Sequence, residues 1–173
     1  MKNAILSFFC LLCLNPLFSQ QSNQIDSFLV SPIDSSNSDE VRQYTVAVPS
    51  AYNANTPTPL ILNLHAYFES IAQYRASLSI DSIAEANNVI VVYPLGDTCA
   101  WNYKPLSFLP NSGIGWNAGI IGGDFDDVDF LSRVLDSVQA SYNIDTKRIY
   151  CMGASNGASM TIKLAAAIGS RFA

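Results

Sequence analysis

The stretch that decides the fold reads Ile149-Tyr-Cys-Met-Gly153-Ala-Ser155-Asn-Gly157-Ala158, a short apolar run that enters the pattern G-x-S-x-G and leaves into an Ala-rich amphipathic segment. This pattern is typical of a strand, a very tight turn and a helix, with the serine on the turn. Gly153 and Gly157 are needed because side chains two residues to either side of the serine would collide. The pattern therefore predicts Ser155 as the catalytic nucleophile of a serine hydrolase.

The remaining catalytic groups are expected outside this chain. In the usual order the acid and the histidine follow the nucleophile, but no His, Asp or Glu occurs between Ser155 and Ala173. The only histidine, His65, lies far upstream. The sequence therefore predicts the front portion of a longer enzyme, with the acid and base beyond Ala173, and it predicts that the chain as given is inactive by itself.

Composition limits the classes of partner. The chain has 173 residues, of which 49% are hydrophobic, and this is enough to bury the core of one domain. The formal net charge is -5, and only nine Lys and Arg residues are present, scattered singly. We therefore expect no nucleic acid partner.

The N-terminal residues have the organisation of a secretory signal peptide. Lys2 precedes an apolar run from Ala4 to Leu14, and Asn15-Pro16 then interrupts it. This run is shorter than the roughly 20 residues that a membrane-spanning helix needs, so no stable membrane anchor is expected. Residues 1–20 are predicted to be a signal peptide, and the mature protein is predicted to be secreted, either extracellular or periplasmic.

Polar residues dominate 21–40, which predicts a flexible linker or an edge segment with a short strand at Phe28–Val30. The rest of the chain, 41–173, is predicted to be an incomplete α/β domain. Its first strand is expected at Val41–Val48, where two sets of residues alternate and the strand would be half buried.

Two nearly continuous apolar runs, Leu60–Leu64 and Val89–Tyr93, predict buried parallel strands. Helical spacing between them predicts a crossover helix that is interrupted near Ser79. A longer helix is predicted at Asp126–Tyr142 and a strand at Lys147–Met152. The alternation of strands and helices predicts a right-handed, mostly parallel α/β sheet.

Three blocks of the sequence carry a resemblance to a known family. They are Pro59–Tyr67, Val89–Pro94, and the block formed by Asp126–Leu131, Tyr142–Tyr150 and Gly153–Gly157. Together they resemble the polyhydroxybutyrate depolymerase-like esterases, a secreted α/β-hydrolase family that includes feruloyl and acetylxylan esterases. The resemblance implies a three-layer α/β-hydrolase sandwich, truncated here after the helix that follows Ser155.

The resemblance also implies the chemistry. Ser155 would hydrolyse carboxylic esters through an acyl-enzyme, with no metal and no organic cofactor. The substrates would be polyhydroxyalkanoate-type polyesters, or feruloyl or acetyl esters of polysaccharides. The same chemistry on a peptide bond is a further reading, and a secreted binding protein that keeps the turn but lacks the triad is the alternative of a different class.

The resemblance assigns the oxyanion hole to two backbone N–H groups. One would be that of Asn156, and the other that of Ala66 or Tyr67. The family has His-Gly where this chain has His65-Ala66, and in the family that histidine is structural. A second reading of His65 is that it acts as the general base.

The segment from Gly96 to Gly123 is predicted to be a long loop. Its aromatic residues either line a substrate pocket or pack the loop onto the sheet; they are Trp101, Tyr103, Phe108 and Trp116. Trp116–Gly119 resembles a Trp-Asn-Ala-Gly block of the family, whose following cysteines are replaced here by Ile120 and Ile121.

Two further groups of residues have competing interpretations. Cys99 and Cys151 could form a disulfide in an exported protein, but we favour a buried, unpaired Cys151 and a Cys99 that pairs, if at all, beyond Ala173. The carboxylates near the start of the Asp126 helix could bind calcium, but helix capping and the helix dipole explain them more simply. These carboxylates are Asp124, Asp126, Asp127 and Asp129.

Overall fold

The computed structural model describes residues 22–30, 40–101 and 110–173. The predicted signal peptide at 1–20 lies outside these residues, as do Tyr103 and Phe108. The strands are β1 Ser22–Val30, β2 Glu40–Val48, β3 Thr58–Leu64, β4 Ile90–Pro94, β5 Asp97–Trp101, β6 Ser112–Gly115, β7 Ile121–Gly122 and β8 Ile144–Gly153. The helices are α1 Ile71–Ser77, α2 Ile80–Asn87, α3 Asp127–Ser141 and α4 Asn156–Ile168.

The main sheet has the strand order β1-β2-β4-β3-β8. Its central strands are parallel, because β3 pairs in parallel with both β4 and β8. The other two pairings, β1 with β2 and β2 with β4, are antiparallel, so the predicted parallel arrangement holds only for the central strands. Residues 49–57, which join β2 to β3, are few and contain no helix. A connection between parallel strands of one sheet is longer and usually contains a helix, so this short segment agrees with the antiparallel direction of β2.

The crossover between β3 and β4 is two helices, as the predicted interruption near Ser79 required. Ser70 caps α1: its side chain accepts a hydrogen bond from the backbone N–H of Gln73, and the side chain of Gln73 bonds back to the cap. Helix α2 begins directly after Ser79. The capping box and the restart explain why the helical spacing is not continuous.

Side chains of alternate residues in the central strands enter two apolar clusters, one on each face of the sheet. In β3, Leu60, Leu62 and Leu64 pack with α3 and α4, whereas Ile61 packs with the cluster that contains Tyr74 of α1 and Ala84 of α2. The sheet is therefore the middle of three layers. This arrangement explains why these strands are almost wholly apolar in sequence.

The segment from Gly96 to Gly123 contains a second sheet and is not simply the loop that was predicted. Strands β5, β6 and β7 form an antiparallel sheet in the order β6-β5-β7. These strands have two to five residues and include several glycines, so they lack the apolar alternation that identifies a strand from sequence.

Buried ion pairs of Arg42 tie this second sheet and α3 to the main sheet, since its Nε lies 3.6 Å from Oδ2 of Asp97 in β5. Arg42 of β2 is only 3% exposed. The alternation in the sequence predicts a half-buried strand. Arg42 Nη1 lies 3.0 Å from Oδ1 of Asp127, and its guanidinium carbon lies 4.0 Å from the ring centre of Phe130. Its Nη2 donates a hydrogen bond to the carbonyl oxygen of Leu95 at 3.0 Å. Asp127 is thus the first residue of α3, and its carboxylate neutralises the buried guanidinium of Arg42.

Asp126 and Asp129 have the predicted helix-end roles. Asp126 caps α3 by accepting from the backbone N–H groups of Val128 and Asp129, and Asp129 pairs with Arg133 one turn on. Within the described ranges, no group of three or more His, Cys, Asp or Glu side chains is placed to hold a metal ion. Nor is any helix there both long and apolar enough to cross a bilayer.

Both cysteines of the described residues are free, so the disulfide between Cys99 and Cys151 is not formed. Cys99 lies buried in β5, not in a loop, whereas Cys151 in β8 is half-buried and not buried as predicted. Burial raises the pKa of the Cys99 thiol to about 12, and burial raises that of Cys151 to about 11.

The ion pair gives a prediction about stability. Asp127→Ala leaves Arg42 buried without its nearest carboxylate, and removing one partner of a buried pair costs about 3–5 kcal/mol. We expect a loss of that size in the free energy of unfolding measured by urea denaturation. The control is Asp129→Ala, which breaks an exposed pair and should cost less than about 1 kcal/mol. Equal losses in the two variants would contradict the importance of the buried pair.

The thiol environments give a second prediction. The thiolate is the reactive form, and at pH 8 roughly one part in a thousand or less of either thiol is ionised. Iodoacetamide should therefore leave Cys99 and Cys151 unmodified in native protein at pH 8 and should modify both in urea. Peptide mapping by mass spectrometry separates them from Cys10 and Cys13. Rapid native labelling at either position would contradict the raised pKa of that thiol.

Candidate active site

Ser155 lies on the turn between β8 and α4, at the carboxyl end of the central strands. Its backbone has φ 50° and ψ −114°, an unusual conformation for a residue with a side chain, and the residue is exposed to solvent. The turn is held by two hydrogen bonds: Ala154 N–H donates to Leu64 O at 3.2 Å, and Gly157 N–H donates to Ala154 O at 2.8 Å. We call residues 153–157 the elbow.

The two glycines of the elbow lie against backbone. A Cβ atom added to Gly153 would lie 2.6 Å from the carbonyl carbon of Gly157 and 2.9 Å from Leu64 O. One added to Gly157 would lie 2.6 Å from His65 O and closer still to Leu64 O. Neither position has room for any side chain. The spacing G-x-S-x-G is therefore a consequence of how closely the elbow approaches the end of β3.

Asn156 is the first residue of α4, so its backbone N–H is among those that have no acceptor within the helix. Its side chain is 5% exposed and binds the backbone of Trp116 at both ends. Asn156 Oδ1 accepts from Trp116 N–H at 2.6 Å, and Asn156 Nδ2 donates to Trp116 O at 3.0 Å. This pair of bonds fixes the segment before β7 to the elbow.

His65 follows β3 and is fully buried beside Trp116, with 5.0 Å between the ring centres. Its Nε2 accepts from Gly96 N–H at 2.8 Å, and its Nδ1 lies 2.7 Å from Ala66 O. These partners assign the proton to Nδ1, which donates to the carbonyl. Burial lowers the pKa of His65, which favours the neutral ring. Both nitrogens are engaged, so the geometry favours the structural role over that of a general base.

The two candidates for the second oxyanion donor differ. Ala66 N–H donates to Glu69 Oε2 at 3.0 Å, and Ala66 O accepts from Glu69 N–H at 3.3 Å, so Glu69 closes a small ring around Ala66. The Tyr67 hydroxyl donates to Cys99 O at 2.8 Å, and the Tyr67 ring lies against Gly115. The Ala66 N–H therefore already has a carboxylate partner in this structure.

Trp116 joins the two candidate donor segments. Its ring is fully buried, and its Nε1 donates to His65 O at 2.9 Å while its own backbone is bound by Asn156. It supports the site from beneath, and it is not among the residues that line the cavity at Ser155. Trp101 ends β5, but its side chain is outside the described part of the structure, as is the whole of Tyr103.

A cavity of about 220 Å³ opens beside the nucleophile. It is lined by Ala118, Ile120, Ile121, Ser155, Asn156 and Ser159. Sequence reasoning did not assign Ala118, Ile120, Ile121 or Ser159 to the site, and it missed the contact of Glu69 with Ala66. The signal that could have found the apolar lining is the pair of isoleucines that directly follows the Trp116–Gly119 block.

The described residues therefore supply an exposed hydroxyl on a residue with a strained backbone, backbone N–H groups at two adjoining segments, and a cavity with apolar lining residues. They include one histidine, and its ring is part of the scaffold. This arrangement suits attack by Ser155 on a carbonyl whose oxygen is held by backbone N–H groups.

No family model matches the chain. It is 28% identical over 132 residues to a bifunctional acetylxylan esterase/xylanase of Neocallimastix patriciarum, covering 76% of this chain and 17% of that protein. It is 28% identical over 120 residues to feruloyl esterase B of Piromyces equi, covering 69% and 20%. It is 29% identical over 126 residues to poly(3-hydroxyalkanoate) depolymerase C of Paucimonas lemoignei, covering 73% and 28%.

This chain is similar to solved structures over about half of their length. An acetyl xylan esterase from Aspergillus awamori has a TM-score of 0.59 at 18% identity, covering 87% of this chain and 49% of that one. The S-formylglutathione hydrolase of Staphylococcus aureus has a TM-score of 0.59 at 20% identity, covering 88% and 55%. The predicted α/β-hydrolase fold and the resemblance to feruloyl esterases and a polyhydroxyalkanoate depolymerase are confirmed. The chain spans 17–28% of the three curated relatives.

The elbow gives a prediction about glycine. Gly157→Ala forces a methyl group against two carbonyl oxygens, and we expect it to lower the free energy of unfolding by about 3 kcal/mol or more, measured by urea denaturation. The control is Gly169→Ala after α4, where nothing lies within 4 Å of the added Cβ and φ is −56°. That variant should be neutral or stabilised by up to about 1 kcal/mol. A stable Gly157→Ala protein would contradict the close approach.

Proposed function

We propose that this chain, which has the α/β-hydrolase fold, provides the nucleophile and the oxyanion hole of a secreted carboxylic ester hydrolase. The observation that carries the proposal is the backbone of Ser155, at φ 50° and ψ −114° between β8 and α4. Such a conformation costs about 1–3 kcal/mol and persists where the surrounding structure enforces it. Here it exposes a hydroxyl at the mouth of a cavity.

In the proposed reaction, Ser155 Oγ attacks the ester carbonyl carbon while a general base takes its proton. The carbonyl oxygen gains the charge and is held by the backbone N–H groups of Asn156 and of Ala66 or Tyr67. The tetrahedral intermediate expels the alcohol, which receives the proton, and leaves an acyl group on Ser155. Water attacks this acyl-enzyme in the same way and releases the carboxylic acid.

The scaffold beneath the two donors supports this assignment. The Asn156 side chain, the Trp116 backbone and indole, and the His65 carbonyl form a continuous chain of buried hydrogen bonds. Donors fixed in this way need little reorganisation when charge develops on the substrate, and one such donor is typically worth about 3–4 kcal/mol of barrier.

We assign the general base and its carboxylate partner to residues beyond Ala173. His65 is unsuited to the base role because its Nε2 accepts from Gly96 and its Nδ1 bonds to Ala66. The segment 1–173 by itself should therefore turn over esters negligibly. Residues 1–20 are proposed to act as the signal peptide for export.

The substrates are proposed to be acyl esters carried by polymers, either feruloyl or acetyl groups on polysaccharides or the ester links of a polyhydroxyalkanoate. The support is the similarity to a bifunctional acetylxylan esterase/xylanase, a feruloyl esterase and a poly(3-hydroxyalkanoate) depolymerase.

The test compares two serines of the same cavity in protein expressed from the whole reading frame. Ser155→Ala should lower kcat for p-nitrophenyl butyrate by at least about 10⁴-fold, because the remaining binding groups retain only a small part of the catalysis. Ser159→Ala also changes a lining hydroxyl but should leave kcat within about threefold, since this side chain has no role in bond making.

Equal effects of the two changes would exclude Ser155 as the nucleophile. Absence of ester turnover in the unmodified whole protein, with retained fold, would instead support the alternative of a secreted binding protein that lacks the triad.

A further inference from the structure

Glu69 lies at the end of the short turn that carries both candidates for the second oxyanion donor. We call residues 65–69 the oxyanion loop. Glu69 Oε2 accepts a hydrogen bond from Ala66 N–H at 3.0 Å, and Glu69 N–H donates to Ala66 O at 3.3 Å. The Glu69 side chain is half-buried and does not line the cavity at Ser155. A single residue therefore holds both backbone groups of Ala66 from outside the cavity.

The peptide between His65 and Ala66 directs its carbonyl group towards the elbow. His65 O lies 2.6 Å from the position of a Cβ atom on Gly157, and it accepts from Trp116 Nε1 at 2.9 Å. The C=O and N–H of a planar trans peptide point in opposite directions. The Ala66 N–H therefore points away from the elbow, and the acceptor on that side is Glu69.

The next peptide, between Ala66 and Tyr67, is held by its carbonyl group. Ala66 O accepts from His65 Nδ1 at 2.7 Å and also from Glu69 N–H. Two donors therefore fix the plane of this peptide. The N–H of Tyr67 lies on its opposite edge, directed away from the His65 ring and from Glu69.

Tyr67 also adjoins the other donor segment. A Cβ atom on Gly115 would lie 2.5 Å from Tyr67 Cδ2 and 2.8 Å from Asn156 Oδ1, so both residues contact Gly115. The Tyr67 hydroxyl is anchored by its bond to Cys99 O. Because the two donor segments meet at Gly115, a small rotation of the Ala66–Tyr67 peptide would change the position of one donor relative to the other.

The oxyanion loop needs support to keep its conformation. The bond from Glu69 N–H to Ala66 O closes a β-turn whose third residue, Phe68, has φ 70°. A positive φ is unusual for a bulky residue and persists where the surroundings enforce it. Phe68 N–H donates to Ile114 O at 2.8 Å on one side of the turn, and the Glu69 carboxylate holds Ala66 on the other. Loss of the carboxylate would remove one of these two supports.

We propose that Glu69 is a positioning residue of the oxyanion hole. By holding both backbone groups of Ala66, it keeps the next peptide turned so that the Tyr67 N–H meets the carbonyl oxygen of the ester. The contact needs an acceptor oxygen and no negative charge, because the Ala66 N–H that it satisfies is directed away from the elbow. This inference rests on the proposed esterase function and adds to it a residue that acts through the oxyanion loop.

The test compares Glu69→Ala with Glu69→Gln in protein expressed from the whole reading frame. With p-nitrophenyl butyrate, Glu69→Ala should lower kcat about 10²-fold and leave KM within about twofold, because a misplaced donor weakens binding of the transition state and not of the ester. Glu69→Gln keeps an acceptor oxygen and should retain kcat within about threefold. Titration of active sites with a fluorophosphonate expresses each kcat per folded molecule.

The matched control is Glu85→Ala. Glu85 is also a carboxylate that accepts from a backbone N–H, that of Ser50 at 3.1 Å, but this contact lies outside the site. Its removal should leave kcat per titrated site unchanged. A purely structural role of Glu69 would lower the free energy of unfolding and leave kcat per titrated site unchanged, and that result would overturn the inference.

Hydrogen exchange followed by ¹⁵N NMR tests the contact without turnover. The Ala66 amide should be protected in the unmodified protein and in Glu69→Gln, and it should exchange at least about tenfold faster in Glu69→Ala. An unprotected Ala66 amide in the unmodified protein, or an equal loss of kcat in the two variants, would overturn the positioning role and leave the esterase intact. Lack of turnover in the folded, unmodified protein would overturn the esterase, and this inference with it, even where the Ala66 amide stays protected.

Discussion

The structure depends on the close approach of the elbow to the end of β3. Leu64 O accepts from Ala154 N–H, and the same oxygen lies where a side chain on Gly153 or Gly157 would have to be. The register of β3 with β8, which pairs Leu64 with Gly153, sets this approach. Ser155 keeps its unusual backbone because the glycines on either side let β8 turn into α4 without moving away from β3. The position of the nucleophile is thus decided by backbone contact.

The second constraint on the site is a network of buried hydrogen bonds. The Asn156 amide binds both backbone groups of Trp116, and the Trp116 indole binds the carbonyl of His65. Buried polar groups are costly when unpaired and strong when paired, because the surroundings have a low dielectric constant. The same network therefore stabilises one arrangement of the three segments and penalises others. Arg42 and Asp127 act in a similar way, because their buried ion pair joins β2 of the main sheet to the start of α3.

What could be predicted from the sequence was local. The elbow, the central strands and the interrupted crossover helix each follow from a short pattern of glycines or apolar residues. The antiparallel pairing of β2 and the small sheet β6-β5-β7 were not predicted, because they depend on connection length and on strands too short to show alternation. Two sets of hydrogen bonds, that of Glu69 with Ala66 and those of Asn156 with Trp116, were not predicted for another reason. They are side-chain contacts with backbone groups, and residue type alone does not indicate which backbone group a carboxylate or an amide will meet.

The pairing of Leu64 with Gly153 also has a consequence for the order of events during folding. These residues are far apart in sequence, and bringing them together costs the conformational entropy of the intervening chain. The backbone of Ser155 is strained only when β3 and β8 are already side by side. A chain emerging from the ribosome therefore carries an ordinary serine at this position until the whole of 58–157 has been synthesised and has closed. The reactive geometry is therefore restricted to molecules in which β3 and β8 are paired.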